Sequence, residues 1–134
     1  MARKTLRVVA AVIRRDGRYL ISQRMPKAAF PLYWEFPGGK VEPGEQDDEA
    51  LRREMLEEMN AQVQVGPLLD QRVHEYPDFA VDFRAYRCTL MNDDLAAIHV
   101  ADYCWVLPGE LASYPFPPAD EQAIAMLLSE GEEP

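Results

Sequence analysis

Residues 39–61 read Gly39-Lys40-Val41-Glu42-Pro43-Gly44-Glu45-Gln46-Asp47-Asp48-Glu49-Ala50-Leu51-Arg52-Arg53-Glu54-Met55-Leu56-Glu57-Glu58-Met59-Asn60-Ala61. Leu51, Met55 and Met59 recur every four residues with Ala50 alongside, so one stripe of this segment is apolar and core-facing. The pattern predicts a helix over residues 48–59, with Asp47 or Asp48 as N-cap and acids suited to the positive end of the dipole. Asn60 follows as a left-handed C-cap, the usual choice after glycine. Glu54, Glu57 and Glu58 stand at i, i+3 and i+4 and so share a second face. Like charges at those spacings cost about 0.2–0.5 kcal/mol per pair, and Arg53 reaches only Glu57 at i+4. Three adjacent carboxylates are therefore unfavourable unless a cation sits among them. Hard oxygen donors select Mg²⁺ or Mn²⁺ over Zn²⁺, and no His/Cys cluster stands beside them. Gly38-Gly39 lets the backbone approach closely and offers a carbonyl as one more oxygen ligand.

Working outward, residues 6–14 are rich in Val and Ile and end at Asp16-Gly17, a hairpin turn pair, after which Arg18–Gln23 returns as an alternating strand. Residues 25–33 contain Pro26 and Pro31 and read as a loop, followed by a short strand at residues 34–36 that enters Pro37-Gly38-Gly39. Pro43-Gly44 marks another turn. Beyond the helix, residues 68–76 and Phe79–Leu90 read as strands joined at Tyr76-Pro77-Asp78, and residues 103–107 as another. A last helix is expected over residues 119–128 with Ala123, Met126 and Leu127 inward, then an acidic tail at 129–134. Hairpin, helix, antiparallel strands and helix in that order imply α+β, or an α/β/α sandwich with a central mixed β-sheet between helices. The whole chain, 1–134, is expected to be one domain, with its core at about residues 5–128.

The chain has 134 residues, 14 Lys+Arg against 23 Asp+Glu, and a net charge of -9. Residues 1–40 carry +7 and residues 41–134 carry -16, with eight acids and two arginines in residues 42–58. The negative balance argues against duplex nucleic acid and against an anionic membrane surface. The apolar run Val8–Ile13 is too short for a signal segment or a spanning helix. Cys88 and Cys104 form neither a metal pair nor a disulfide framework and read as reduced packing thiols, which makes the cytoplasm the expected compartment.

The stretch closely resembles the Nudix box: Gly, five residues, Glu, seven residues, then Arg-Glu-aliphatic-any-Glu-Glu-any-Gly-aliphatic. Gly39, Glu45, Arg53, Glu54, Met55, Glu57 and Glu58 all fall in register, while Asn60 and Ala61 replace the closing glycine and aliphatic residue. With Trp34-Glu35-Phe36-Pro37-Gly38-Gly39-Lys40, the hairpin at residues 8–24 and Pro117-Pro118-Ala119-Asp120, the resemblance extends to the MutT-like subgroup, including 8-oxo-dGTP diphosphatases and CTP pyrophosphohydrolases.

That resemblance implies an enzyme: Mg²⁺-dependent, with Mn²⁺ as an alternative, hydrolysing an oxidised or non-canonical nucleoside triphosphate to the monophosphate and pyrophosphate. Sugar nucleotides, dinucleoside polyphosphates, RNA 5′ ends, or nucleotide binding with weak catalysis remain alternatives. The implied partner is a small nucleotide, with the protein as monomer or homodimer. By resemblance Glu54, Glu57, Glu58 and the Gly38 carbonyl ligate the ions, Glu54 also orients or deprotonates the water, and Glu45 and Arg53 fix the carboxylates. A further glutamate of the subgroup is missing: His99 stands in its place, so His99 or Asp102 substitutes or the role has moved. Asp120 either reads a nucleobase edge or caps the last helix. Phe36 and Phe79 are stacking candidates or core. Lys40 faces the phosphates, and Arg24 meets a phosphate or carbonyl or ends its strand in solvent.

Overall fold

A computed structural model of the chain describes residues 4–129. Seven strands and two α-helices follow in the order β1 (Lys4–Arg15), β2 (Arg18–Gln23), β3 (Trp34–Glu35), β4 (Gly38–Lys40), α1 (Asp47–Met59), β5 (Val63–Glu75), β6 (Phe79–Leu90), β7 (Asp102–Val106) and α2 (Pro118–Ser129). A 3₁₀ turn, Pro108–Ser113, precedes α2. The main path across the sheet is β3-β2-β1-β6-β5, with β4 also on β1 and β7 also on β2. β1 and β6 are parallel over ten residue pairs, from Lys4 opposite Phe79 to Ile13 opposite Cys88, and the other pairings are antiparallel. The sheet is therefore mixed, as expected.

Alternation along β1 sorts the core into two layers. Val9, Ala11 and Ile13 pack with Ala50, Leu51, Met55 and Met59 of α1, while Ala10 and Val12 pack with Ala123, Ile124 and Leu127 of α2. Successive strand residues point to opposite faces, so the two helices cover opposite sides of the sheet. Both neighbours of each β1 side chain are thus buried, which is why the Val8–Ile13 run reads as continuous rather than alternating.

The helix expected over residues 48–59 begins one residue earlier, and neither Asp47 nor Asp48 is its cap. Gln46 is the N-cap, and Glu49 Oε1 accepts from the Gln46 N–H at 2.8 Å. Asp47 is held instead by Arg7 (2.9 Å), Arg84 (3.1 Å) and the Tyr86 hydroxyl (2.5 Å), which ties the start of α1 to β1 and β6. Asn60 ends the helix in the left-handed conformation (φ 56°, ψ 33°), as expected. Asp16 and Gly17 both have positive φ (53° and 77°), the geometry of the expected hairpin turn.

Three local expectations needed correction. The strand expected at residues 34–36 ends at Glu35, and Gly38–Lys40 beyond it is a further strand, paired with Val8–Ala10. β5 starts at Val63, not residue 68: the ladder passes Gly66-Pro67 through register shifts between Val65 and Asp70. On this edge strand Pro67 removes no interior hydrogen bond, so the pairing resumes beyond it. On α2, Ile124 joins Ala123 and Leu127 in the core, whereas Met126 is only half-buried. Ser129 closes α2, and residues 130–134 of the expected tail lie outside the described residues.

Candidate active site

One cleft of about 970 Å³ opens where the first half of β1 and the second half of α1 meet β3 and β4. Glu54 and Glu58 line it together with Gly38 and Gly39, and Arg24, Glu35 and Phe36 border the same space. Lys40, Lys4 and Arg7 bring cations to it, and Phe83 of β6 contributes an aromatic wall.

Gly39 lies directly under the carboxylate of Glu54, where a Cβ would overlap that group. At Gly38 a Cβ would overlap the Val9 carbonyl oxygen in the ladder with β1. The two glycines thus serve different contacts: one seats a strand, the other seats a carboxylate. Burial raises the Glu54 pKa, against the lowering pull of Arg53. Glu58 lies deeper, and burial, reinforced by Glu54 and Glu35, pushes it up to about 8. Its Oε1 is buried without a hydrogen-bond partner. An orphaned buried carboxylate oxygen is costly unless something positive takes it.

Arg53 organises the rest. Its guanidinium donates to both oxygens of Glu45 (2.7 and 2.9 Å), to Glu54 (3.0 Å), to Glu57 (3.2 Å) and to the Lys40 carbonyl (3.1 Å). The Arg53 bonds hold Glu45 down at about 2, so it stays ionised. Glu57 remains half-exposed on the outer side of this network and does not line the cleft. Among the described residues no three acidic, His or Cys side chains converge as a ready-made cage. That suits a small hard cation that takes one or two carboxylates and completes its shell with water and phosphate oxygens. The donor set, the orphaned Glu58 oxygen and the Gly39 seat together fit a divalent ion.

The other candidates are distributed as follows. Arg24 donates to Glu35 (2.7 Å) and to the Ala29 carbonyl (2.6 Å), so it anchors the 25–33 loop while facing the cleft. Phe36 is buried in the α2-side core against Phe116 and still borders the cleft. Phe79 stacks on Tyr76 at 4.9 Å and is absent from the cleft lining, where Phe83 stands instead. Asp120 is buried; burial first, and Glu35 next, raise its pKa well above the usual carboxylate range. Its Oδ1 accepts from the Phe36 backbone N–H at 3.2 Å, so the side chain ties α2 to the residue after β3. His99 is exposed, but its backbone N–H donates to the Glu58 carbonyl at 3.1 Å. Asp102 is exposed, and its carboxylate accepts from the Tyr103 N–H.

Two cleft residues, Glu35 and Phe83, were not singled out from sequence. A lone acid between Trp34 and Phe36 in a short strand was the available signal for Glu35. For Phe83 only the strand register reveals it, since Val8 of β1 stands opposite.

Comparison with known proteins agrees with this geometry. The family model of the NUDIX domain matches residues 8–126. The chain is 36% identical over 117 residues to the CTP pyrophosphohydrolase of Escherichia coli K12, covering 87% of each. It is 33% identical over 132 residues to the nucleoside triphosphatase NudI of Salmonella heidelberg, covering 89% of this chain and 94% of that one. The solution structure of the E. coli ORF135 protein superposes with a TM-score of 0.84 at 32% identity, over 98% of this chain and 95% of that one.

Proposed function

This chain belongs to the Nudix hydrolase family, whose members use divalent metal ions, and from that premise we propose that it hydrolyses a nucleoside triphosphate to the monophosphate and pyrophosphate. The substrate class is an oxidised or non-canonical nucleotide, the ion is Mg²⁺ with Mn²⁺ able to replace it, and residues 5–128 form the catalytic domain. The observation that carries the reading is the juxtaposition in one cleft of the unpaired, buried Glu58 oxygen with Arg24, Glu35 and Phe36. A polyphosphate and a base fit side by side in that arrangement.

Glu54, Glu58 and the Gly38 carbonyl would hold the ion from the cleft, and Glu57 would join them by turning its half-exposed side chain inward from Arg53. When bound, the ion supplies charge neutralisation of the phosphate chain and a lowered pKa for water. The protein's own contribution is order. Arg53, itself gripped by Glu45, donates to Glu54 and Glu57 and so directs both carboxylates. Gly39 leaves Glu54 room to accept a proton from water in the cleft. Lys40 and Arg24 meet the phosphate oxygens, and Phe36 and Asp120 border the base. Relatives named for CTP and for nucleoside triphosphates support a triphosphate over a sugar nucleotide.

The test is direct. Purified protein with Mg²⁺ and a panel of ordinary and oxidised nucleoside triphosphates should release pyrophosphate, and Glu57→Gln should abolish release. Silence across the panel overturns the triphosphate assignment.

A further inference from the structure

Asn60 does more than end a helix. A glycine would adopt its left-handed conformation at lower cost, yet the side-chain amide present has partners. Asn60 Nδ2 donates to the Asp94 carbonyl at 3.0 Å and approaches the Asp94 carboxylate at 3.4 Å. In return, Asn92 Nδ2 donates to the Asn60 carbonyl (2.9 Å) and to Asp94 Oδ1 (2.7 Å), while Asn92 Oδ1 accepts from the Gln62 N–H (2.8 Å). This stitch fastens the end of α1 to the loop between β6 and β7.

The same loop closes the last turn of the helix. Carbonyls in that turn have no partner within a helix and are ordinarily left to water or a cap. Here the Glu58 carbonyl accepts from the Ile98 and His99 N–H groups (3.0 and 3.1 Å), and the Met59 carbonyl accepts from the Ala96 N–H (3.0 Å). The backbone beneath Glu58 is thus held by the loop, and the loop is held in turn by Asn60.

We propose that Asn60 is a positioning residue: its amide fixes the 92–99 loop, and through the loop's backbone donors sets where Glu58 presents its carboxylate to a divalent ion. The inference rests on the functional reading above, but its first two readouts need no nucleotide.

Asn60→Gly keeps the helix ending and the Asn92 bonds and deletes the amide's contacts to Asp94. Mn²⁺ titrated into the nucleotide-free variant, followed by electron paramagnetic resonance, should show a dissociation constant raised roughly tenfold, the low end of what lost supporting hydrogen bonds cost a metal site. Amide exchange at Ile98 and His99 should accelerate while exchange in β1 stays as in the parent. In turnover, kcat should fall with the nucleotide KM unchanged. If Asn60→Gly does not fold, Asn60→Asp serves: it keeps the left-handed preference, loses the donor and faces Asp94 with a like charge, so the same weakening of Mn²⁺ binding is expected. A parent-like Mn²⁺ dissociation constant with parent-like exchange at Ile98 and His99 overturns the proposal, whatever happens to the melting temperature. A parent protein that turns over no nucleotide defeats the functional reading and leaves the Mn²⁺ and exchange results to decide Asn60.

Discussion

Arg53 grips Glu45 with two parallel hydrogen bonds, Nε to Oε2 at 2.7 Å and Nη2 to Oε1 at 2.9 Å, across eight residues that include the first turn of α1. The fork leaves Nη1 free to reach Glu54 and Glu57. A planar guanidinium can satisfy all three carboxylates at fixed angles, which an ammonium cannot. Arg53→Lys should therefore retain its charge and its fold and lose roughly 10–100-fold in kcat, as expected when groups orienting metal ligands are removed. Steady-state kinetics beside a circular dichroism melt checks this.

The two glycines should separate under the same substitution. Gly38→Ala pushes a methyl group into the Val9 carbonyl of the β1 ladder, so it should lower the melting temperature sharply or prevent folding. Gly39→Ala meets the Glu54 carboxylate first, a side chain that can swing aside. That variant should melt near the parent yet lose activity, because the displaced carboxylate no longer points into the cleft.

Glu58 gives the metal-free protein a definite pH response. Its pKa rises from 4.5 to about 8 through burial and the nearby Glu54 and Glu35. Between those values the folded chain keeps a proton that the unfolded chain has released, so stability falls as pH rises through the window. Glu58→Gln should flatten this slope in thermal melts from pH 5 to 9. A cation must displace the same proton, so metal affinity should climb with pH and level off above about 8, with proton release measurable by calorimetry in buffers of differing ionisation enthalpy.

Asp120 should respond differently to two replacements. Asn keeps an acceptor for the Phe36 N–H and removes an ionisable group from a buried place. Asp120→Asn should therefore melt at or above the parent at pH 8. Asp120→Ala leaves that N–H unpaired and should cost about 1–3 kcal/mol. If the carboxyl reads the base as proposed, Asp120→Asn also reorders the preference across the nucleotide panel at unchanged stability.

Much of this arrangement was legible from residue order because it is local. The α1 stripe, the Asn60 ending, the Asp16-Gly17 turn and the shared face of Glu54, Glu57 and Glu58 follow from periodicity and from backbone preference. What escaped is what distant segments decide. Gly38–Lys40 does not read as a strand until β1 pairs with it, and Gly66-Pro67 looks like a strand break until β6 carries the ladder past it. Asp47 looks like a cap until Arg7, Arg84 and Tyr86 claim it. Sequence points to Phe79 as a stacking partner and passes over Phe83, and only the β1–β6 register puts Phe83 in the cleft.

The parallel pairing of β1 with β6 also dictates when the site can exist during folding. Lys4 lies opposite Phe79, so this ladder closes a loop of about 75 residues whose entropic cost precedes any reward. The β1–β2 hairpin and α1 are local and can flicker into being early, but Asp47 has no Arg84 or Tyr86 to hold it until β6 arrives. A nascent chain released before residue 79 would own every carboxylate of the box and still lack the Phe83 wall of the cleft and the β6 groups that hold Asp47. We expect full divalent-ion affinity to arrive late in this topology, with completion of the long-range closure rather than with formation of the helix that bears the carboxylates.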